Sequence, residues 1–388
     1  MKDAPDRARI GRALLALIGY RVSLAHDLSA QDWLVLDTMT DQHRLRPFLH
    51  HRYTKGEIPA PPDEIRDAWR EAYAANGVAI LAQRRALLQA VATLSAKGIG
   101  AVALKGSALA WTVWPEPALR EMRDIDLLVA EANAPQAYAS LREAGWQGPA
   151  LGPSDTKRFA AAETHFPTLV SADGVALELH AHVWLRPAVP AMSMPAPCDS
   201  RLLGAARYEE RLGAAVPGTQ DMIAHLIVHA ACAHLLNVGP GALIDLDLWC
   251  ARKSVEWPAF WDRAQAEGYA RPAALMFALV ERWRRPDFLR ESLCPLDVAD
   301  TLLDESEALL VQNLDARKDV YALSSLGRGS VRDKLAQHAL DHAEHTASPM
   351  GRIGQLARRS TSLLYSVLRR ETRHAARSTA HVRDWLSG

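Results

Sequence analysis

Apolar residues recur at helical spacing through the first hundred positions, and this pattern predicts a helical N-terminal region over residues 1–99. Two stretches show the spacing: Ile10, Leu14, Leu15, Leu17 and Ile18, followed by Leu34, Leu36 and Met39. Three prolines between Gly56 and Pro62 interrupt the pattern. A long amphipathic helix is then expected from about Pro62 to Lys97, ending at Gly98 because glycine suits a helix C-cap.

The pattern next changes to alternating strands and helices. Residues 100–105 predict a short strand, Ala108 to Trp114 a helix, Asp124 to Val129 a second strand and Asn133 to Ala144 another helix. A β-hairpin follows, because Glu163 to Val170 and Val175 to Val183 flank a Ser-Ala-Asp-Gly turn whose Asp-Gly pair accepts positive φ angles. This order of elements predicts an α+β fold whose core covers residues 100–186.

The remaining chain reads as helical again. Pro187 to Pro197 is rich in Pro and Ala and predicts a linker, and residues 187–347 are expected to form a helical C-terminal domain, with helices from Thr219 to about Gln312 and over 332–345. The tail, 348–388, contains eight arginines and two acidic residues. Its apolar residues favour an amphipathic helix docked on the protein, namely Leu356, Leu363, Leu364 and Val367. RNA, an acidic peptide and phospholipid headgroups are alternative ligands of this basic segment.

Composition narrows the functional classes. The chain is 49% hydrophobic and 23% charged, which is typical of a globular protein, and its formal net charge is zero. Attraction to nucleic acid or an anionic membrane would therefore need a local patch. Arg12 and Arg21 interrupt the N-terminal apolar run, and no later stretch approaches the roughly 20 apolar residues that span a bilayer. Four scattered cysteines without a Cys-x-x-Cys pair suggest free thiols, so we expect a cytoplasmic protein.

The stretch from Leu104 to Val129, LKGSALAWTVWPEPALREMRDIDLLV, carries the candidate chemistry. Side chains alternate along a strand, so Asp124 and Asp126 point to the same face. Two neighbouring carboxylates in a partly buried site repel each other unless a cation lies between them. Mg²⁺ fits this position because it prefers oxygen ligands and shares them with substrate phosphates, and Mn²⁺ is the alternative ion.

These residues resemble the nucleotidyltransferase superfamily typified by DNA polymerase beta, in which a Gly-Ser turn precedes Asp-x-Asp on a strand. More narrowly, "LKG…A…P…LR…DIDLLV" resembles the bacterial uncharacterised nucleotidyltransferase family. The gap from Ser107 to Asp124 is longer than the usual superfamily loop and suits the narrower family. The resemblance implies a small mixed sheet with flanking helices, two Mg²⁺ ions and a third carboxylate on a later strand. Members of the narrower family often belong to natural-product or exopolysaccharide gene sets.

Glu178 is the candidate for the third carboxylate, because it falls on the second hairpin strand and shares a face with His180. "VALELHAHVW" resembles the family's "ELHW" strand, with Ala181 in place of the usual aromatic residue. The resemblance implies that Asp124 and Asp126 bridge the two metal ions. Glu178 would complete the site of the ion that binds the acceptor and help to take the proton from its hydroxyl group.

The other predicted site residues would contact the substrates. The residues expected to bind the phosphates of the nucleotide are Lys105, Gly106, Ser107, Arg120 and Arg123. His165 and His180 are candidates for substrate contact. Gly106 lets the backbone approach a triphosphate, and the free N–H groups of the helix that follows suit an anion. The basic side chains are candidate phosphate clamps. Packing and substrate contact are equally open roles for the two histidines.

Histidines in the predicted C-terminal helices raise the question of zinc. His225 and His229 have the i, i+4 spacing that zinc-ligand pairs use, and Cys232, His234 and Asp245 are candidate further ligands. The chain has no HExxH glutamate at this place, which favours helix-packing histidines near the substrate cleft.

The predicted function is therefore an Mg²⁺-dependent transfer of a nucleoside monophosphate from a nucleoside triphosphate, with ATP among the candidates, to a hydroxyl-bearing acceptor. The expected acceptor is a small molecule, a natural-product peptide or a protein. Two alternatives stay open. One is transfer to RNA, especially a tRNA 3′ end, as in toxin-like relatives, and the other is a non-catalytic nucleotide-binding accessory protein that keeps the fold.

Overall fold

A computed structural model of the chain describes residues 6–162, 165–183, 199–314 and 370–388. Helices occupy the N-terminal region: α1 (Arg7–Leu17), α2 (Ala30–Gln42), α3 (Arg46–Thr54) and α4 (Asp63–Ser95). α2 begins at a capping box, in which the side chains of Ser29 and Asp32 each accept a hydrogen bond from the other's backbone N–H. The predicted long helix is α4, which begins and ends within two residues of the expected bounds.

One face of α4 holds the loop that leads into the carboxylate-bearing strand. Asn76 donates its side-chain N–H to the carbonyl oxygen of Ala118 at 2.6 Å, and Gln83 donates to that of Met122 at 3.0 Å. Both side chains are buried. Because these amides satisfy loop carbonyls that helices and strands leave unpaired, α4 fixes the position at which the strand starts.

Within the described ranges, six strands form one mixed sheet: β1 (Ala101–Ala103), β2 (Asp124–Val129), β3 (Leu169–Val170), β4 (Ala176–His180), β5 (Arg207–Glu209) and β6 (Ala214–Val216). Their order is β3–β4–β2–β1–β6–β5. β2 pairs antiparallel with β1 and parallel with β4, and β6 pairs parallel with β1. The α+β class with a mixed sheet is therefore confirmed.

The structure differs from the prediction at several places. α5 (Lys105–Thr112) begins before Ala108, because Lys105 takes a φ of +44° that turns the chain from β1 directly into the helix. β3 and β4 are shorter than the predicted hairpin strands, although Gly174 at the turn has the expected positive φ of +79°. β5 and β6 were not predicted, since three residues each are too short to show alternation, and they extend the sheet beyond residue 186.

The other helices are α6 (Ala134–Glu143), α7 (Pro153–Ala162), α8 (Asp199–Gly204), α9 (Thr219–Ile227), α10 (Gly241–Arg252), α11 (Trp257–Ala266), α12 (Ala270–Trp283), α13 (Phe288–Glu291), α14 (Asp300–Leu310) and α15 (Arg370–Leu386). A π-helical segment, Val228–Ala233, continues α9. Phe260, Phe277 and Phe288 pack ring to ring in the core of the C-terminal helices, with centroids 5.6 and 5.1 Å apart.

The C-terminal helix α15 packs against α12 and α14. Arg271 on α12 donates from Nη1 to the carbonyl oxygen of Trp385 at 3.0 Å. The predicted linker, the helix over 332–345 and the four apolar tail residues that favoured an amphipathic helix lie outside the described residues. Within the described ranges, no helix has the length and apolar composition that crossing a bilayer requires.

Candidate active site

The register of β2 and β4 brings the three predicted carboxylates to one face of the sheet. Asp126 lies opposite Glu178 in the parallel pairing, and Asp124, two residues earlier on β2, shares their face. Asp126 is buried, whereas Asp124 and Glu178 are partly exposed. An oxygen of Asp126, an oxygen of Glu178 and a ring nitrogen of His180 lie within 4.8 Å of one another. The structure thus brings together side chains that the sequence places on separate strands.

The first turn of α5 lies directly against β2. The N–H of Leu104 donates to the carbonyl oxygen of Asp126 at 3.0 Å, and the N–H of Asp126 donates to Ser107 Oγ at 3.0 Å. Ser107 is buried, so its hydroxyl fixes the strand. Gly106 is buried, and a Cβ there would collide with the guanidinium of Arg120 and the side chain of Met122. Only glycine allows the backbone and this guanidinium to lie so close together.

Lys105 and His180 both contact the same oxygen of Asp126. Lys105 Nζ lies 2.7 Å and His180 Nε2 lies 2.9 Å from Asp126 Oδ1, and His180 Nε2 is also 3.7 Å from Glu178 Oε2. The ammonium donates to Asp126, and the neutral imidazole donates when Nε2 carries the proton. A φ of +44° is strained for a residue other than glycine, so the backbone at Lys105 supports this contact at a conformational cost.

These contacts set the charge of each group. Burial alone would raise the pKa of Asp126, but the Lys105 ammonium and the His180 hydrogen bond outweigh it and hold that pKa far below its ordinary value. Burial raises the pKa of Asp124, and the charges of Asp126 and Glu178 raise it further. Burial opposes the charge of Lys105, yet the carboxylates more than compensate and raise its pKa. Burial lowers the pKa of His180, which favours its neutral form. The described site therefore combines three carboxyl groups, those of Asp124, Asp126 and Glu178, with the single ammonium group of Lys105.

Asp245 on α10 holds Arg120 beside Gly106. Arg120 Nε and Nη2 donate to the two carboxylate oxygens of Asp245 at 2.9 and 2.8 Å, and Trp114 Nε1 donates to Asp245 Oδ1 at 2.8 Å. This bidentate pair leaves Arg120 Nη1 against Gly106. From the sequence, Asp245 is only a candidate zinc ligand. No local pattern links it to an arginine 125 positions earlier in the chain.

A cleft of about 460 Å³ opens in front of the carboxylates. Its walls come from the loop between α2 and α3, from the α5, β2 and β4 site, and from the segment between α9 and α10. It brings together seven of the predicted site residues: Lys105, Gly106, Arg120, Arg123, Asp124, Asp126 and Glu178. Other lining residues were not predicted as site residues, among them Gln42, Arg44 and Asn237.

His180 and Ser107 lie behind the cleft lining, where they contact Asp126. His165 is further from the opening, and its Nδ1 lies 2.8 Å from the carbonyl oxygen of Phe166. Its ring also packs edge-on against the ring of His180, with centroids 5.5 Å apart. Neither histidine lines the cleft, and His180 contacts the carboxylate of Asp126 from its buried position.

Of the C-terminal histidines, His229 and His234 line the cleft, whereas His225 is buried and does not line it. The rings of His225 and His229 are 5.9 Å apart, and those of His229 and His234 are 4.4 Å apart. Among the residues that the structure describes, the group formed by Asp126, Glu178 and His180 is the one that meets metal-ligand distances. In the same described ranges, His225, His229 and His234 do not form such a group with Cys232 or Asp245.

Residues 29–285 match the sequence model of a family described as uncharacterised nucleotidyltransferase. The chain belongs to this family. The match covers more than half of the chain, from α2 to α12, and includes the carboxylates of β2 and β4 together with Asp245. No curated protein matches the chain. Membership confirms the resemblance carried by the LKG and DIDLLV motifs, and the enzyme is a nucleotidyltransferase.

Proposed function

We propose that this nucleotidyltransferase moves a nucleoside monophosphate from a nucleoside triphosphate to a hydroxyl group of an acceptor and releases pyrophosphate. The observation that carries the proposal is the pairing of Asp126 with Glu178 on adjacent parallel strands, with Asp124 on the same face. Gly106, at the start of α5, lines the same cleft. The acceptor is a small molecule, a natural-product peptide or a protein in a cytoplasmic setting.

The donor set fits divalent cations. The three carboxylates supply the hard oxygen ligands that Mg²⁺ prefers, and Mn²⁺ accepts the same oxygens. The charge of the described site also fits divalent cations. Lys105 is one ammonium group beside three carboxylates, so negative charge remains for the cations to offset. Two such ions, when bound, would stabilise the charge on the phosphates and lower the pKa of the acceptor hydroxyl.

The protein's own groups would bind and orient the reactants. Arg120 Nη1 and the backbone at Gly106 would contact the phosphates that leave as pyrophosphate, while Asp245 keeps the guanidinium aimed at them. Lys105 would add a second positive charge there. As the acceptor oxygen bonds to the α-phosphorus and the bond from that phosphorus to pyrophosphate breaks, Glu178 would take the hydroxyl proton at its carboxylate.

Binding measurements test the first part of the proposal. Mn²⁺ binding is measured by electron paramagnetic resonance, and binding of each common nucleoside triphosphate by calorimetry with Mg²⁺ or Mn²⁺. We expect Asp126→Asn to lose the metal and the metal-dependent nucleotide binding. The matched control is Asp262→Asn, an exposed position on α11 outside the cleft, which should behave as wild type. Wild-type protein that binds no triphosphate with either ion would contradict the proposal.

A labelling experiment tests the acceptor. Wild-type and Asp126→Asn proteins are incubated with α-³²P-labelled triphosphates and a cell extract, which is then separated into RNA, protein and small molecules. Label that depends on Asp126 in protein or small molecules supports the proposed acceptor class. Label in RNA instead identifies the RNA-modifying alternative, and nucleotide binding without transfer to any fraction identifies the accessory protein.

A further inference from the structure

The loop between α2 and α3 carries an arginine at a backbone position that favours glycine. Arg44 has a φ of +57°. The N–H of Leu45 donates to the carbonyl oxygen of Thr40 at 2.8 Å, and the N–H of Arg44 donates to that of Asp41 at 3.0 Å. These two bonds form a Schellman motif with Arg44 at its left-handed position. Glycine adopts this conformation without strain, whereas the Cβ of arginine is crowded there.

The side chain of Arg44 faces the cleft beside the first carboxylate of β2. Arg44 is half-buried and lines the cleft with Arg120 and Arg123. Arg120 is already held by Asp245. Among the described residues, no carboxylate comes within the 4.0 Å ion-pair distance of the Arg44 or Arg123 guanidinium. One wall of the cleft therefore presents two guanidinium groups without a close counter-charge from the described chain.

The surroundings of Arg44 disfavour its positive charge. Burial lowers the pKa of Arg44 to about 10, and the nearby charge of Arg123 contributes in the same direction. Glu121 and Asp124 partly offset these effects, but Asp124 is assigned to metal binding in the proposed function. A strained backbone and a half-buried, poorly compensated charge both cost stability, and an anion bound in the cleft would offset the second.

We propose that Arg44 and Arg123 form an anion subsite that binds a phosphate group next to Asp124. The planar guanidinium presents N–H donors in a fork that matches phosphate oxygens. The phosphate belongs either to the triphosphate or to a phosphorylated acceptor, and this choice rests on the proposed function. No local spacing pattern predicts the subsite, because Arg44 precedes the long helix α4 in the sequence and Arg123 follows it.

The experiment uses inorganic tripolyphosphate as the probe, because the preferred nucleobase is unknown. Its affinity is measured by calorimetry with Mn²⁺ for wild type, Arg44→Gly, Arg44→Gln and the control Arg290→Gln, whose side chain on α13 is 79% exposed. We expect tripolyphosphate affinity to fall about tenfold to a hundredfold in both Arg44 variants and to stay unchanged in the control. Arg44→Gly should unfold at or above the wild-type temperature, since it relieves the backbone strain.

A second titration distinguishes the source of the phosphate. If the phosphate belongs to the acceptor, the Arg44 variants keep their tripolyphosphate affinity but bind inorganic phosphate more weakly when saturated with Mn²⁺ and tripolyphosphate. Unchanged affinity for both probes in both Arg44 variants overturns the subsite. Wild-type protein that binds tripolyphosphate through Arg44 but binds no nucleoside triphosphate would overturn the proposed function and leave the subsite standing.

Discussion

The contact between Lys105 and Asp126 predicts two effects of substituting Lys105. The metal-free variant should be less stable than wild type, and Mn²⁺ should stabilise the variant more than wild type. Lys105→Met removes the ammonium group that lies 2.7 Å from Asp126 Oδ1 and keeps most of the side-chain length. Removing one member of a buried ion pair costs about 3–5 kcal/mol, and the lower value applies here because the Lys105 side chain is 18% exposed. A loss of about 3 kcal/mol in a chain of 388 residues lowers the unfolding temperature by roughly 4 °C, because the entropy of unfolding grows with chain length.

A divalent cation should restore much of this loss. Because the ion would replace the missing ammonium beside Asp126, Lys105→Met should gain more thermal stability from Mn²⁺ than wild type, in which the ion competes with Lys105. At an ion concentration of about 100 times Kd, the gain is about 2.7 kcal/mol. Triphosphate affinity should nevertheless fall in the variant, since Lys105 is assigned to the phosphates.

Differential scanning fluorimetry with and without Mn²⁺, followed by calorimetry with tripolyphosphate, measures both effects. The matched control is Lys97→Met, an exposed lysine just beyond the end of α4. An equal rise in the unfolding temperature of Lys105→Met and of wild type with Mn²⁺ would show that the ion does not replace the ammonium. A metal-free variant as stable as wild type would show that the ion pair with Asp126 does not contribute to stability.

Three further predictions concern the packing around the cleft. Gly106→Ala should displace the Arg120 guanidinium and weaken tripolyphosphate binding about a hundredfold by calorimetry, whereas Gly77→Ala, in the interior of α4 with room for a methyl group, should not weaken it. Asp245→Asn should cost about 3–5 kcal/mol in urea unfolding, because the buried Arg120 loses its carboxylate, and an unchanged midpoint would contradict the assigned role. Burial holds the pKa of His43 at about 4, below the 6.5 of an unfolded chain, so the unfolded state binds the extra proton and stability should fall between pH 6.5 and 4. His43→Gln should flatten this fall by up to about 1.4 kcal/mol per pH unit in unfolding experiments, and identical pH profiles would show that His43 does not contribute.

Local patterns were sufficient to predict the elements that carry the carboxylates. The run Asp124 to Val129 is the observed strand without a change of bounds, and Glu178 lies on a strand as its alternation with apolar neighbours predicts. The distance between Asp126 and Glu178 could not be read in the same way. It depends on the register of two strands that are not adjacent in the chain, and register is set by packing across the whole sheet.

Interactions over long sequence separations account for most of what the sequence analysis missed. In the sequence, Asp245 is one of two aspartates in a largely apolar helix, and only the fold places it against Arg120. Arg44 reads as one of several basic residues between two helices, because a positive φ at an arginine has no signature in composition. The hydrogen bond from the backbone N–H of Asp126 to Ser107 was not predicted, because it depends on the packing of α5 on β2, and the phosphate contact of Ser107 stays a prediction.

The division of the cleft among distant segments has a consequence for synthesis. A nascent chain that has emerged as far as His180 already contains both β2 and β4, so the carboxylates can gather before α10 exists. At that stage Arg120 has no Asp245 to anchor it, and the wall that follows α9 is missing. The ribosome-bound intermediate would therefore have an incomplete nucleotide-binding site. It would bind substrate only after α10 has packed against Arg120.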